Sequence, residues 1–399
     1  MKNENFLFGV FSILAMLIGL LNVQFLSHHF TISEFGLYQL LMTIIGVFSV
    51  ASLTGYDNLA RRHMINGNDA YILYVYRSVL PVVICILGII GLAVYFYVDF
   101  HKQMTLVALA IVSLMIFDKL GVVLSAKLRF LEYRYFELGG RVAFLGLTIC
   151  TIAINLAFET FLYLLLALHM AHYLLRAVIA LKWVERRASL SSTEITEFNR
   201  GALRNSLVIG YATFASWIER LILGFLSPAQ LAVFSIGYLI TKLVKDNVKA
   251  FLTPTLYNWS RRGSELQYLK IEQHKSHFLG IGLLFFFLVA GGGYWTIHLF
   301  FPKYQEATLI SGVLAIVLVP IFVVYAMAHA MLMSDHIETS NRVEIISNTL
   351  KIFISPILVY FFLLWGAAAS IIISESVRLG LYYFYFKKIV RGLRVEINY

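Results

Sequence analysis

Three lysines in the stretch TKLVKDNVK have a spacing that places charged side chains on one face of a helix. Lys242, Lys245 and Lys249 are three and four residues apart, which aligns their ammonium groups. Such a stripe could bind an anionic substrate. Lys249 could instead anchor the helix by extending its side chain to the membrane surface. Asp246 lies four residues after Lys242, so an ion pair within the helix is the alternative for that lysine.

Two adjacent charges, Glu219 and Arg220, interrupt the apolar stretch SWIERLILG. Neighbouring residues of a helix point about 100° apart, so these two side chains face different surroundings. Both are candidates to line a water-filled cavity, where Arg220 would bind an anion. A structural ion pair with a neighbouring helix is the alternative. Asn22 and Gln24 hold the corresponding place in the first apolar segment, and we expect the same cavity to include them.

Two carboxylates are candidates for gating or for binding a coupling ion, namely Asp57 and Asp246. Asp57 could instead cap a helix beside Arg61. The other charges within apolar segments are expected to form buried ion pairs: Asp118, Lys119, Glu375 and Arg378. A polar stripe is expected to make interhelical hydrogen bonds: His169, His172 and Arg176. We find neither metal-ligand spacing nor a Ser/His/Asp set, so we expect no metal, no cofactor and no catalysis.

The composition indicates which elements must position these side chains. The chain has 399 residues, of which 60% are hydrophobic and 14% charged. A soluble domain carries about 25% charged residues. Apolar runs of about 20 residues, long enough to cross a bilayer core of roughly 30 Å, recur along the whole chain. The sequence therefore predicts a multi-pass membrane protein, and runs of this length without period-2 alternation predict helices.

We predict an all-α membrane protein of about twelve transmembrane helices. The predicted spans are 6–26, 36–60, 79–98, 104–126, 139–157, 161–181, 203–226, 229–252, 278–298, 307–332, 346–363 and 367–386. Spans 2, 8 and 12 are the most polar. The two cysteines, Cys85 and Cys150, fall inside spans, where a small packing role is expected.

The formal net charge of +10 reflects the orientation of the chain. If the N-terminus is cytoplasmic, most loop Lys and Arg residues lie on that side, and Lys102 and Lys303 lie on the other. Loop Lys and Arg bias sets the orientation of a membrane protein, so both termini are predicted to be cytoplasmic. We therefore expect membrane lipid as a partner and no nucleic acid. The loops are too short for a nucleotide-binding domain, which argues against ATP-driven transport by this chain alone.

An internal repeat divides the chain. Phe35-Gly36-Leu37-Tyr38 corresponds to Leu231-Ala232-Val233-Phe234, and each follows an outward segment and a short turn. Gly36 and Ala232 would allow close helix packing, and Tyr38 and Phe234 suit the lipid headgroup boundary. The predicted organisation is a six-helix lobe at 1–181, a cytoplasmic connector at 182–202, and a six-helix lobe with a basic tail at 203–399. The two lobes form a parallel repeat.

The chain resembles the bacterial oligosaccharide flippases of the multidrug/oligosaccharidyl-lipid/polysaccharide exporter superfamily. The resemblance rests on SEFGLYQL, LTGYDNLARR, SWIERLILG and LAVFSIGYLI, and on helix number, topology and the two-lobed repeat. Two departures are Tyr56, where a small or aliphatic residue is common, and Glu219-Arg220, where Asp-Arg is commoner.

The resemblance implies alternating access around a cavity lined by helices 1, 2, 7 and 8. It implies an undecaprenyl-pyrophosphate-linked oligosaccharide as cargo, for O-antigen or capsule synthesis at the bacterial inner membrane. Lys242, Lys245 and Arg220 would then contact its pyrophosphate or acidic sugars, and other polysaccharide assembly proteins are possible partners. A cation or multidrug antiporter of the same superfamily is the alternative, and a membrane polymerase or acyltransferase is a weaker one.

Overall fold

The protein is described here by a computed structural model covering residues 2–65, 67–97, 102–127, 129–184, 190–260, 263–332, 334 and 336–397. Throughout these residues the regular elements are helices. Seven of the helices described are long and apolar enough to cross a membrane, or eight if one bent pair counts as a single span. The expected all-α, multi-pass membrane fold is confirmed. The number of twelve spans and the orientation stay predictions.

The chain divides into two compact units, Met1–Trp217 and Ile218–Tyr399. The first unit contains these helices: α1 Lys2–His29, α2 Ile32–Phe48, α3 Thr54–Ile65, α4 Ala70–Tyr74, α5 Leu80–Tyr97, α6 Lys102–Phe117, α7 Leu120–Ala126, α8 Phe130–Ala153, α9 Phe158–Lys182 and the first part of α10 Ser192–Leu226. Helix α1 packs along α8, and α6 packs against α2, α5 and α9. The predicted lobes and connector stay predictions.

Two of the predicted spans in the first unit are broken. Helix α2 passes through a 3-10 turn at Ser49–Ser52, and Leu53 then adopts a left-handed backbone with φ 54° before α3. Helix α6 ends at Phe117, and α7 resumes at Leu120 after Asp118 and Lys119. Such breaks leave backbone groups without helical partners, and in membrane proteins they are tolerated where protein or a wet cavity surrounds them. Here Tyr76 donates its hydroxyl hydrogen to the carbonyl oxygen of Phe117 at 3.1 Å.

Helix α10 begins at Ser192, well before the predicted start of span 7 at residue 203. Ser191 and Glu194 explain the early start, since the Glu194 carboxylate accepts from the Ser191 backbone N–H at 2.8 Å and the Ser191 hydroxyl accepts from the Glu194 N–H at 3.4 Å. The first turns then bury Phe198 against Tyr56 and Tyr71. Part of the predicted connector is therefore helix. Residues 185–189 lie outside the described residues.

The second unit contains the end of α10 and these helices: α11 Pro228–Ser260, α12 Ser264–Phe300, α13 Ala307–Ala315, α14 Leu318–Leu332 and α15 Ile337–Ile397. Helix α12 packs along α13 and α14, and α11 packs against all three. Helix α12 begins before the predicted residue 278, because the polar stretch that precedes its apolar run is helical as well. Helices α13 and α14 meet at a 42° bend.

Helix α15 is a hairpin of two arms. Leu363 has a non-helical backbone, with φ 47° and ψ −118°. The arms pair in antiparallel order, because the hydroxyl oxygens of Ser355 and Ser370 lie 2.5 Å apart. Gly366 permits the tight turn, since a Cβ there would lie 1.9 Å from the carbonyl oxygen of Leu358. The two arms correspond to predicted spans 11 and 12.

Candidate functional site

A cavity of about 480 Å³ lies inside the first unit, between α1, α2, α8 and α9. Its volume falls within the roughly 300–1,000 Å³ typical of small-molecule sites. The lining residues are Gly19, Asn22, Val23, Tyr38, Met42, Glu137, Gly140, Arg141, Phe144, Leu168, His169, His172, Tyr173 and Arg176. This combination of aromatic rings with charged and amide groups can bind a ligand that has both apolar faces and polar edges.

Aromatic rings from three helices contribute to the cavity wall. The rings of Tyr38 and Phe144 are stacked, with centroids 6.5 Å apart, and Tyr38 also meets Phe161 edge-on at 6.1 Å. Tyr38 lies in the second turn of α2, whose N-terminus is fixed by a capping box between Thr31 and Glu34. The side chain of Tyr38 is buried among these rings, and its expected placement at the headgroup boundary stays a prediction.

An arginine on α9 joins the cavity to the break between α6 and α7. Nε of Arg176 lies 2.9 Å from a carboxylate oxygen of Asp118, and its Nη1 donates to Nε2 of His172 at 3.3 Å. The buried ion pair expected for Asp118 is confirmed. The interhelical bonds expected for the two histidines are wrong: His172 bonds within α9 to Arg176, and His169 bonds to the carbonyl oxygen of Leu165. The two histidines are therefore held by their own helix, and the contact expected between helices is made by Arg176 with Asp118.

A second basic group faces the cavity from α8. Arg141 donates to a carboxylate oxygen of Glu137 at 3.3 Å and to the carbonyl oxygen of Ala15 at 3.0 Å. Arg134 binds the other oxygen of Glu137. Glu137 is the acidic residue among those that line the cavity, and its charge is shared between two arginines. The cavity lining therefore carries more positive than negative charge.

Asn22 is the sequence-predicted site residue that lies in this cavity. It is 3% exposed, and its Oδ1 atom has no hydrogen-bond partner. An unsatisfied buried acceptor costs about 1–3 kcal/mol, so a ligand that donates a hydrogen bond here would recover that energy. Gln24 is half-buried, and its backbone carbonyl accepts from the hydroxyl of Ser27 at 2.8 Å.

Asp57 forms an ion pair with Lys119, which lies at the break between α6 and α7. The Lys119 ammonium lies 2.9 Å from one carboxylate oxygen of Asp57 and donates to the other at 3.0 Å, and Lys119 is 1% exposed. The buried ion pair expected for Lys119 is thereby confirmed. The gating role of Asp57 stays a prediction, and any such role requires release from Lys119.

Two of the predicted site residues of the second unit, Glu219 and Lys245, belong to a set of ion pairs. Glu219 binds Lys351 on α15, with a carboxylate oxygen 3.0 Å from the ammonium nitrogen. Lys245 binds Glu375, and Glu375 also binds Arg378 at 3.1 Å. The expected pair of Glu375 and Arg378 is confirmed. Glu344 extends the set, accepting from Arg378 at 2.8 Å.

Arg220 and the remaining α11 residues lie beside this set. The Arg220 guanidinium is buried and stacks over Tyr238, with its central carbon 4.8 Å from the ring centroid. Lys242 is half-buried. Asp246 and Lys249 fall on α11, but their side chains lie outside the described residues. A cargo-binding role for these residues stays a prediction.

The polar stripe of α9 was expected to make interhelical hydrogen bonds and was not predicted to line a cavity. Four further residues of these sites were not predicted from the sequence: Lys351, Glu344, Glu137 and Arg141. The signal for α9 was its four-residue spacing of His172 and Arg176, which allows a hydrogen bond on one helix face. Pairing between distant helices, as for Lys351 with Glu219, leaves no local pattern in the sequence.

Several solved structures are similar to this protein over nearly the whole length of its chain. An inward-facing multidrug resistance MATE family transporter of the MOP superfamily is 15% identical, covers 95% of each chain and gives a TM-score of 0.65. The lipid II flippase MurJ, in an inward closed conformation, is 11% identical over 98% of this chain and 91% of its own, with a TM-score of 0.68. A MOP superfamily transporter from Pyrococcus furiosus, described as having reverse polarity of its binding pocket, is 14% identical over 98% and 95%, with a TM-score of 0.54.

The chain has the fold of the MOP superfamily transporters. This is the superfamily that the sequence resembles, so the fold expectation is confirmed. At these identities the likeness establishes the fold alone. No protein-family model matches the chain, and no curated protein matches it by sequence.

Proposed function

We propose that this protein moves an anionic, lipid-linked oligosaccharide across the bacterial inner membrane by alternating access. The observation that carries the proposal is the cavity of the first unit, which combines aromatic rings, an unsatisfied amide oxygen and an excess of arginine. This combination supports the undecaprenyl-pyrophosphate-linked repeat unit expected from the sequence, with a role in O-antigen or capsule assembly.

Sugar rings have the two kinds of surface that this cavity contacts. Their C–H faces pack on aromatic side chains such as Tyr38 and Phe144, and their hydroxyl hydrogens need acceptors such as Oδ1 of Asn22. Phosphate groups and acidic sugars are recognised by guanidinium groups, which offer several N–H donors in a fixed plane. Arg141 and Arg176 supply those groups on the same cavity.

One of the structural neighbours is named as a flippase for lipid II. That name supports a lipid-linked cargo for the present chain, since both share the fold. The cargo's lipid would remain in the bilayer while its head group enters the polar cavity. Other polysaccharide assembly proteins would supply and receive such a cargo.

The second candidate function is multidrug or cation antiport, and it is favoured by the MATE family neighbours. A cationic drug or ion requires an available negative group in the cavity. Glu137 is bound by Arg134 and Arg141, and Asp118, which lies behind the lining, is bound by Arg176. Three arginines thus face two carboxylates, so the charge that remains around the cavity is positive and favours an anion over a cation.

The proposal is tested in a strain that depends on this protein for surface polysaccharide. We expect Arg176→Gln to abolish the surface polymer and to leave lipid-linked repeat units inside the cell. The matched control is Arg200→Gln, which removes an exposed arginine of α10 and should leave export intact. Full export by Arg176→Gln, with normal protein abundance, would contradict the proposed cavity.

A further inference from the structure

The hydrogen bond between Arg176 and His172 defines the protonation state of the imidazole. A guanidinium has N–H donors and no acceptor, so Nε2 of His172, 3.3 Å from Nη1, must accept. An imidazole nitrogen that accepts a hydrogen bond carries no proton. This hydrogen bond therefore requires the neutral form of His172, with its hydrogen on Nδ1.

The surroundings of His172 determine where the ring goes when it gains a proton. Gly140 of α8 lies directly against it, because a Cβ at that position would be 2.5 Å from Cε1 of the ring. The ring cannot move further toward α8, whose backbone is already in contact. The cavity that His172 lines is the open side.

The charged and titratable groups around His172 come from every helix that packs at this place. Arg176, Asp118 and His169 act electrostatically on the ring, and Tyr173 packs beside it with ring centroids 5.6 Å apart. The groups that line the same cavity from the other helices are Glu137 and Arg141 on α8 and Tyr38 on α2. Asp118 and Glu137 are already bound by arginines, so an added imidazolium meets mainly positive neighbours.

We propose that His172 is a proton-sensing residue of this cavity, whose protonation releases the ring from Arg176 and strengthens the binding of an anionic group. This inference rests on the proposed function, because it takes an anionic head group as the ligand. A proton on Nε2 removes the acceptor that Arg176 uses and places two cations within hydrogen-bond distance. The imidazolium then turns toward the cavity, while Arg176 stays with Asp118.

The direction of the pH dependence follows from the positive charge that His172 gains on protonation. Imidazoles change charge between about pH 5 and about pH 8. Because the neighbours of His172 are mainly positive, the cavity gains its positive charge toward the acidic end of that range. An anion binds the charged form more tightly, and its affinity should rise toward acidic pH. Coupling energies of this kind change affinity by about 5- to 150-fold.

The test is the dissociation constant of a water-soluble polyprenyl pyrophosphoryl sugar for the purified full-length protein, measured at several values between about pH 5 and about pH 8. This probe is a pyrophosphate diester, so its own charge is constant over the range. Wild type should bind more tightly at the acidic end by about 5- to 150-fold. His172→Gln can still accept from Arg176 and cannot take up the proton, so its affinity should be nearly independent of pH.

Two matched controls separate this role from a general effect on folding. His298→Gln removes an imidazole of α12 that bonds to its own helix and does not line the cavity, and it should keep the pH dependence of wild type. Gly140→Ala should displace the His172 ring and change the pH dependence, whereas Gly139→Ala, which meets no neighbouring atom within 4 Å, should not.

The outcomes distinguish this inference from the proposed function. Binding that is tight and independent of pH in wild type would overturn the role of His172 and leave the anionic cargo standing. An unchanged pH dependence in His172→Gln, or its loss in His298→Gln, would overturn the role as well. Absence of binding at every pH would contradict both the anionic cargo and the role of His172.

Discussion

Neutralising Lys351 alone should destabilise the second unit strongly. Its ammonium lies 3.0 Å from the Glu219 carboxylate, and the two side chains are 13% and 2% exposed. Lys351→Met would leave a carboxylate buried without its counter-charge, which costs about 3–5 kcal/mol. The pair Lys275 and Glu272 on α12 is the exposed comparison, with side chains 38% and 23% exposed, and Lys275→Met should cost less than about 1 kcal/mol.

The assay is thermal unfolding of the purified protein in one detergent. For a unit of 150–250 residues, each kcal/mol shifts the unfolding temperature by about 2–4 °C, so Lys351→Met should lower it by roughly 6–20 °C. Glu219→Leu should act in the same direction, because it leaves the ammonium buried. The double variant Glu219→Leu/Lys351→Met removes both charges and should recover most of the stability.

The same double variant tests the role of Glu219. The structural alternative for this residue predicts that export is retained once stability is restored. Lost export in a stable double variant would support the cargo-binding role predicted from the sequence. If Lys351→Met were no less stable than Lys275→Met, the burial argument for the pair would be refuted.

Three further predictions follow from the sequence and the fold. Single cysteines introduced at Ser33 and Gln305 should react with a membrane-impermeant reagent added from outside, whereas those at Gly67 and Ser191 should not. Labelling at Ser191 from outside would contradict the parallel two-lobe organisation. Lys242→Gln should abolish export while the protein stays at normal abundance in the membrane, and Lys249→Gln should preserve export. Equal loss of export in both variants would show that the position of a lysine along α11 does not decide its role. Phe198→Ala should cost about 3–5 kcal/mol in unfolding measurements because Phe198 fills a buried aromatic cluster, and a loss below about 1 kcal/mol would contradict that packing.

The fold was predictable because apolar runs in a membrane leave the backbone few alternatives. The turn predicted between spans 7 and 8 lies at Ser227, which separates α10 from α11. The turn predicted at 364–366, between spans 11 and 12, adjoins the observed turn at Leu363. The start of α10 was missed because the polar stretch after Ser191 looked like a connector, although Ser191 and Glu194 have capping-box spacing.

The site was less predictable than the fold. The ion pairs of Glu219 and Lys245 depend on how α15 is rotated against its neighbours, and sequence spacing carries no information about that rotation. The cavity depends on side chains from four helices and on the absence of a side chain at Gly140. Asn22 was found because an amide in an apolar segment is unusual. The spacing of His172 and Arg176 indicated hydrogen bonding, and nothing in it predicted a cavity until α8 and α9 are placed together.

The most direct test of the account is flipping by the purified protein in proteoliposomes. A fluorescent undecaprenyl-pyrophosphate-linked oligosaccharide would be placed in one leaflet, and its appearance in the other would be followed by an impermeant quencher. The account predicts flipping that requires the protein and is lost in Arg176→Gln but not in Arg200→Gln. Failure of the wild-type protein to flip this lipid, together with exchange of an organic cation by the same vesicles, would contradict it.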